Sequence, residues 1–346
     1  MRSASGGAAT RDSRRKYAVT DRRKRVLVTG GAGFIGSHLV ERLLAEGLAV
    51  TVIDDLSTGS LDNLRAVHTH PALKVVQAKI SCCKDLRKVV DEANCIYHLA
   101  AAVGVELVVN SPIHVLETNL HETEVLLEAA AGRQVPVLLT STSEVYGKSR
   151  KPAFDEEDDL LIGPPRHARW GYACSKLMDE FLALAYAKEK RLPVIIARLF
   201  NTVGPRQTGR YGMVLPRFIA AARRHKPLQV YGDGRQTRCF GYVGDTVEAL
   251  IRLQNCPAAR GEIFNVGGTE EVSIYNLAKR VIRILDSRSA IEFVPYSKAY
   301  APGFDDMRRR RPLTNKLARL TGFRPRTSLD QIIRRTNAPA EKETTG

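Results

Sequence analysis

A Rossmann-type, doubly wound parallel α/β sheet with a smaller, irregular α/β substrate-binding lobe is the fold this sequence predicts. Three observations carry it. Short apolar strands alternate with helix-patterned stretches from residue 26 to residue 197, the rhythm of a parallel sheet covered by helices on both faces. A glycine-rich turn, TGGAGFIG, joins the first of these strands to the first helix. After Arg198 the rhythm breaks, and Gly and Pro become frequent in NTVGPRQTGRYG and YGDGRQ.

The elements follow in order. Residues 26–28 are a short apolar strand. SHLVERLLAEG has apolar residues at helical spacing, with Gly47 as its stop. Residues 49–53 form a second strand that ends in Asp54-Asp55. Next come a strand at 74–77, a helix at 84–92, a strand at 95–98, a long helix at 113–131 and a strand at 135–139. A helix at 172–190 and a strand at 194–197 complete the first lobe. Residues 241–253 read as a strand and helix returning to that lobe, and 273–285 as a helix of the second. The division expected is a disordered basic tail over 1–25, a dinucleotide-binding domain over 26–200 with 239–266, a substrate lobe over 201–238 with 267–335, and a tail over 336–346.

The composition narrows the class. The chain is 44% hydrophobic and 26% charged, which is ordinary for a soluble globular protein. No apolar run approaches the roughly 18 residues a membrane span needs. Its six Cys form no CxxC pair and no metal-ligand spacing. They read as reduced thiols in a reducing compartment, the cytoplasm, with no metal site. The net charge of +16 sits at the ends: nine Lys/Arg against two Asp in residues 1–25, and ten against one in 308–335. The N-terminal stretch has almost no large apolar residues and lacks the apolar middle of a signal peptide. It reads as a solvated tail that cannot fold alone, in preference to a nucleic-acid contact.

Gly30, Gly33 and Gly36 are spaced GxxGxxG, with Phe34 and Ile35 between the last two. Such a turn lets backbone approach a pyrophosphate at a helix N-terminus. Asp54 ends the next strand, where a carboxylate can accept hydrogen bonds from a ribose and would repel a 2′-phosphate, so NAD is expected over NADP. Small residues after the strand ending at His98 (Leu99, Ala100 and Ala101) would let a cofactor lie against the backbone. His98 itself reads as a satisfied structural histidine. Asn119 either bridges helices or faces solvent, and no chemistry is assigned to it.

Tyr172 and Lys176 are four apart and share a helical face. A phenol normally ionises near pH ~10, and an adjacent ammonium and a nicotinamide cation favour the phenolate. A phenolate can take the proton of a sugar hydroxyl while hydride leaves for the cofactor. TSTSEVYG, residues 140–147, places four hydroxyls, a carboxylate and a phenol directly after an apolar strand.

TGGAGFIGSHL, YHLAA, SEVYG, the YxxxK pair, RLFNTVGPR, YGDGRQTR and FNVG stand in one order across residues 26–335. In this the chain resembles the extended short-chain dehydrogenase/reductase family that modifies nucleotide sugars. The resemblance implies a tightly held NAD that oxidises a sugar carbon, a UDP-sugar substrate and a homodimer formed through two long helices, here 114–131 and 172–190. It also implies that Thr142 or Ser143 orients the sugar 4-hydroxyl. Within the family, the TSTSEVYG, FDEEDD, GPPRHARWGYACSK and GFDDMRRRRP segments are similar to UDP-glucuronate decarboxylases. There Glu144 and an Arg would serve the loss of carbon dioxide. By position that Arg is Arg310, with Arg308, Arg309 and Arg311 as neighbours. A UDP-glucose or UDP-glucuronate 4-epimerase is the alternative, and a non-catalytic nucleotide-binding protein a more distant one. For the UDP group the resemblance points to Asn201, Arg206, Tyr231, Arg238 and Tyr300. Two residues depart from the pattern: Lys79 where an Asp usually holds adenine, and Phe304 where a Tyr is usual.

Overall fold

The computed structural model describes residues 24–208, 213–299 and 307–337. Seven strands form one parallel sheet: β1 (Arg25–Thr29), β2 (Ala49–Asp54), β3 (Leu73–Gln77), β4 (Cys95–His98), β5 (Val137–Thr142), β6 (Val194–Leu199) and, later in the chain, Ile263–Val266. The remaining strands are β7 (Thr202–Val203), β8 (Leu228–Tyr231), β9 (Thr237–Cys239) and β10 (Gly241–Tyr242) before that seventh sheet strand, β11, then β12 (Glu271–Ser273) and β13 (Ile291–Val294). The sheet order is β11-β6-β5-β4-β1-β2-β3. The direction of winding reverses between β1 and β4, the place where doubly wound sheets take their ligands.

The helices are α1 (Phe34–Ala45), α2 (Leu86–Glu92), α3 (Val105–Asn110), α4 (Pro112–Ala131), α5 (Ala168–Lys190), α6 (Val214–Arg223), α7 (Val243–Gln254), α8 (Ile274–Ile284), α9 (Tyr296–Ala299), α10 (Asn315–Thr321) and α11 (Leu329–Asn337). In β1 the side chains alternate between two cores. Val26 and Val28 join Leu39, Leu43 and Leu250 from α1 and α7. Leu27 joins Leu126, Leu127 and Ala183 from α4 and α5. Both faces are therefore buried, and each fully buried aliphatic side chain contributes about 1.5–3 kcal/mol. Gly47, left-handed at φ +80°, follows the end of α1 as its spacing required.

A third core holds the second lobe, with Phe218, Val230, Leu277, Val281 and Ile333 from α6, β8, α8 and α11. Small sheets β8/β13 and β9/β12 flank it. Among the described residues, no helix is long and apolar enough to cross a membrane.

Several boundaries differ from the sequence expectation. Arg25, expected in the basic tail, begins β1 because its backbone pairs with Ala49. Thr336 and Asn337 complete α11 instead of opening a tail; residues 1–23 and 338–346 lie outside the described residues. Residues 315–323, expected in the second lobe, pack on the first: Leu317, Leu320 and Phe323 cover the core beside α7 and β11. Strand β5 runs to Thr142, three residues beyond Leu139, because Thr140, Ser141 and Thr142 pair with Ala197, Arg198 and Leu199 of β6. Helix α5 starts at Ala168, so Tyr172 sits in its second turn.

One buried polar network joins these parts. The Arg198 guanidinium pairs with Glu180 at 2.7 Å, with both side chains at most 3% exposed. Ser141 Oγ donates to the same carboxylate at 2.5 Å. Arg198 also donates to Tyr146 Oη and the Glu156 carbonyl. Removing Glu180 strands a buried guanidinium, so Glu180→Ala should lower stability by about 3–5 kcal/mol. Chemical denaturation followed by circular dichroism measures this.

Candidate functional site

A cavity of about 570 Å³ opens at the carboxyl ends of the sheet strands and extends under the second lobe. Its floor is the turn after β1. Gly30 has φ +70°, and a Cβ there would lie 2.6 Å from the Ala100 amide nitrogen. A Cβ on Gly36 would lie 2.1 Å from the Gly30 carbonyl oxygen. Gly33 precedes α1 without a side-chain cap, so the first-turn amides of this helix are left to a ligand. Gly30, Gly33, Phe34, Ile35 and Gly36 all line the cavity, as do Leu99, Ala100 and Ala101 opposite. Backbone amides at a helix start, with no side chain in the way, suit a pyrophosphate.

Asp54 lines the same end. Its carboxylate accepts from the Ala32 and Leu56 amides, each at 2.9 Å. Burial pushes its pKa up, and those two amides work against the rise. Each oxygen retains acceptor capacity for a diol. Lys79 lines the cavity beyond β3.

At the other end, β5 and α5 bring their residues together. Thr142, Glu144, Tyr172 and Lys176 all line the cavity. Thr142 stands beside the Tyr172 phenol and favours its ionised form. Tyr172 ionises above its ordinary value, because of burial first and then the Glu144 charge; Thr142 and Arg310 act in the opposite sense. The protein's own groups thus reverse the expected ease of ionisation, because burial outweighs the neighbouring cations. Lys176, 3% exposed, pairs through Nζ with Asp179 Oδ2 at 2.7 Å.

The Glu144 carboxylate is held by two guanidiniums. Arg169 Nε donates to Oε2 and Arg310 Nη1 to Oε1, both at 3.2 Å. Arg310 Nη2 donates to Ser143 Oγ at 2.8 Å. Ser143 is fully buried beneath Arg310 and does not line the cavity, so of the two hydroxyls Thr142 is the one beside the phenol. Arg310 is the arginine of its run that reaches Glu144, while Arg309 pairs with Glu271 at 2.6 Å.

Asn201, Tyr231 and Arg238 line the second-lobe side of the cavity. Asn201 Nδ2 donates to the Cys239 carbonyl, and Arg238 Nη1 to the Met307 carbonyl. Arg206 departs from its expected place. It does not line the cavity but pairs with Glu41 of α1 at 2.6 Å and with Ser37 Oγ, which ties its turn to the first lobe. Tyr300 and Phe304 lie outside the described residues. His98 is a satisfied structural histidine, buried between Thr29 Oγ1 and Thr123 Oγ1 at 2.7 and 3.0 Å. Asn119 bridges elements: Oδ1 accepts from the Ala102 amide and Nδ2 donates to Ser175 Oγ.

A family model described as GDP-mannose 4,6 dehydratase matches residues 27–336. The chain belongs to that family, a branch of the extended short-chain dehydrogenases/reductases. It is 40% identical over 315 residues to UDP-N-acetyl-alpha-D-glucosaminuronate decarboxylase of Bacillus cytotoxicus, across 91% of this chain and 97% of that protein. It is 34% identical over 341 residues to UDP-glucuronic acid decarboxylase 1 of Arabidopsis thaliana, across 96% of this chain and 73% of that one. Among solved structures, UDP-glucuronic acid 4-epimerase from Bacillus cereus, in complex with UDP-glucuronic acid and NAD, superposes with a TM-score of 0.81 at 28% identity. That alignment covers 90% of this chain and 98% of the epimerase.

In this family member, two residues of the site went unread in the sequence. Arg169 lies three residues before Tyr172 and Asp179 three after Lys176. Helical spacing could have flagged Asp179 within the helix read over 172–190, and Arg169 only with the helix start placed at Ala168. The glycine floor gives a direct test. Gly36→Val must displace the Gly30 carbonyl, so the variant should lose the thermal stabilisation that added NAD gives the parent protein. Thermal-shift titration with NAD reads this out.

Proposed function

We propose that the protein is an NAD-dependent UDP-hexuronate decarboxylase that acts through carbon 4 of the sugar. The observation that carries this reading is Glu144 held between Arg169 and Arg310, within reach of Tyr172's surroundings. A site for a neutral hexose has no need of two cations beside the reacting carbon. A uronate carboxylate does.

The Gly30, Gly33 and Gly36 turn, the Asp54 carboxylate and the Leu99, Ala100 and Ala101 backbone would hold NAD. Bound NAD supplies a two-electron acceptor and donor for sugar carbon 4. Tyr172 takes the proton of the 4-hydroxyl, and the Thr142 hydroxyl keeps that oxygen in line. Lys176 holds its positive charge beneath the phenol. Arg310 and Arg169 orient the sugar carboxylate, and Glu144 limits their net charge. A 4-keto uronate is a β-keto acid. Its carboxyl–C5 bond breaks to release carbon dioxide, and the electron pair is accepted by the ketone. Asn201, Tyr231 and Arg238 are assigned to the UDP group; Arg206 is not, because it is committed to Glu41.

The chain is also assigned to the cytoplasm and to a homodimer through α4 and α5. The support for the dimer is a run of exposed apolar side chains on these helices, including Ile113 at 70% and Phe181 at 60%.

Incubation with NAD and UDP-glucuronate, and in parallel with UDP-N-acetylglucosaminuronate, tests the reaction. Mass spectrometry should show a nucleotide sugar lighter by one carbon dioxide. An unchanged mass with a new anomeric proton signal would make the enzyme a 4-epimerase. Tyr172→Phe should lower kcat by about 100-fold or more, because the proton acceptor is removed while the binding cavity remains.

A further inference from the structure

Asp179 is fully buried, ionisable and unassigned by the chemistry above. Its carboxylate meets the Lys176 ammonium at 2.7 Å. Burial pushes its pKa up; Lys176 and then the Thr123 hydroxyl draw it back. Thr123, on α4, is 3.0 Å from His98 Nε2, and His98 Nδ1 is 2.7 Å from Thr29 Oγ1 on β1. His98 is neutral, its pKa lowered to about 3 by burial and then by the Lys176 charge. Asp179 Oδ1 is buried without a hydrogen-bond partner among the described residues, so the Lys176 ammonium on Oδ2 is the group that holds this carboxylate.

We propose that Asp179 is a positioning residue for Lys176: it anchors the ammonium beneath Tyr172 and offsets its field at the phenol. The inference rests on the reading of Tyr172 as the proton acceptor. Facing Tyr172 and Lys176 are Glu144 from the turn after β5, Arg169 and Asp179 from α5, Arg310 from the segment before α10, and His98 from β4. Glu144 and Asp179 both raise the phenol's pKa. A lone ammonium would lower it; the pair with Asp179 supplies position without that full effect.

The test is the pH profile of kcat/KM for the UDP-uronate in Asp179→Asn, with Asp179→Glu beside it. The sign follows from the charge removed. Without the carboxylate, the phenolate forms at lower pH, so the acidic limb should move down by about half a pH unit or more. Asp179→Glu, which keeps the charge, should hold the limb within a few tenths of the parent's. A limb that does not move in an active Asp179→Asn enzyme overturns the proposal, even if that variant is less stable. Failure of the underlying reading shows elsewhere, as retained activity in Tyr172→Phe. Should Asp179→Asn not fold, Asp179→Ser removes the same charge, and its acidic limb should move down likewise; a limb that stays with the parent's overturns the proposal.

Discussion

The buried Arg198–Glu180 pair is the interaction on which the site depends. Arg198 lies on β6, Glu180 on α5, and Ser141 of β5 donates to the same carboxylate. The guanidinium also reaches Tyr146 and Glu156, and both of these bind Asn265 of β11. Such a pair gains little net stability over an apolar one, since its desolvation is costly. What it gives is a single allowed arrangement. Helix α5 cannot slide or turn on the sheet without stranding a charge. Tyr172 and Lys176, two and one turns earlier on that helix, inherit their positions at the strand ends from this lock.

The adjacent acids Asp179 and Glu180 point to different partners, because neighbours on a helix are separated by about 100°. Glu180 takes the structural cation from β6, and Asp179 takes the lysine at the cavity. One turn of α5 thus carries both the pin that fixes the helix and the acid that pairs with the Lys176 ammonium. A shift of the first would reach the second through a single peptide bond.

The sequence showed the parts of the site that are local. The glycine turn, Asp54 after the second strand, and the Tyr172/Lys176 pair are all short-range patterns whose geometry follows from one strand end or one helical turn. The strand-helix alternation gave the sheet because every apolar run had to be buried on both faces. Long-range choices were not legible. Nothing local says that Thr140–Thr142 continue β5; their pairing with β6 decides it. Nothing local says that Arg206 turns to Glu41, 165 residues away, instead of entering the cavity. Residues 315–323 look like second-lobe sequence, yet Leu317, Leu320 and Phe323 find their apolar surface on the first. The two arginines at Glu144 combine both cases, since Arg169 is local to α5 and Arg310 arrives from 166 residues away.

That meeting of charges bears on the chemistry of the proposed decarboxylation. The reaction converts an anionic carboxylate into neutral carbon dioxide while negative charge moves to the C4 oxygen. A site that binds the carboxylate too well stabilises the ground state and slows its loss, since only interactions stronger in the transition state accelerate a reaction. Two unopposed arginines would do this. Glu144, accepting from both, occupies part of their donor set and offsets one unit of their charge. The carboxylate is then oriented by guanidinium edges without a strong field to hold its charge in place. In the proposed complex the Thr142 hydroxyl and the Tyr172 phenol would lie where the negative charge arrives. On this reading the placement of one acid between two bases turns a binding site for uronates into one that can release carbon dioxide from them.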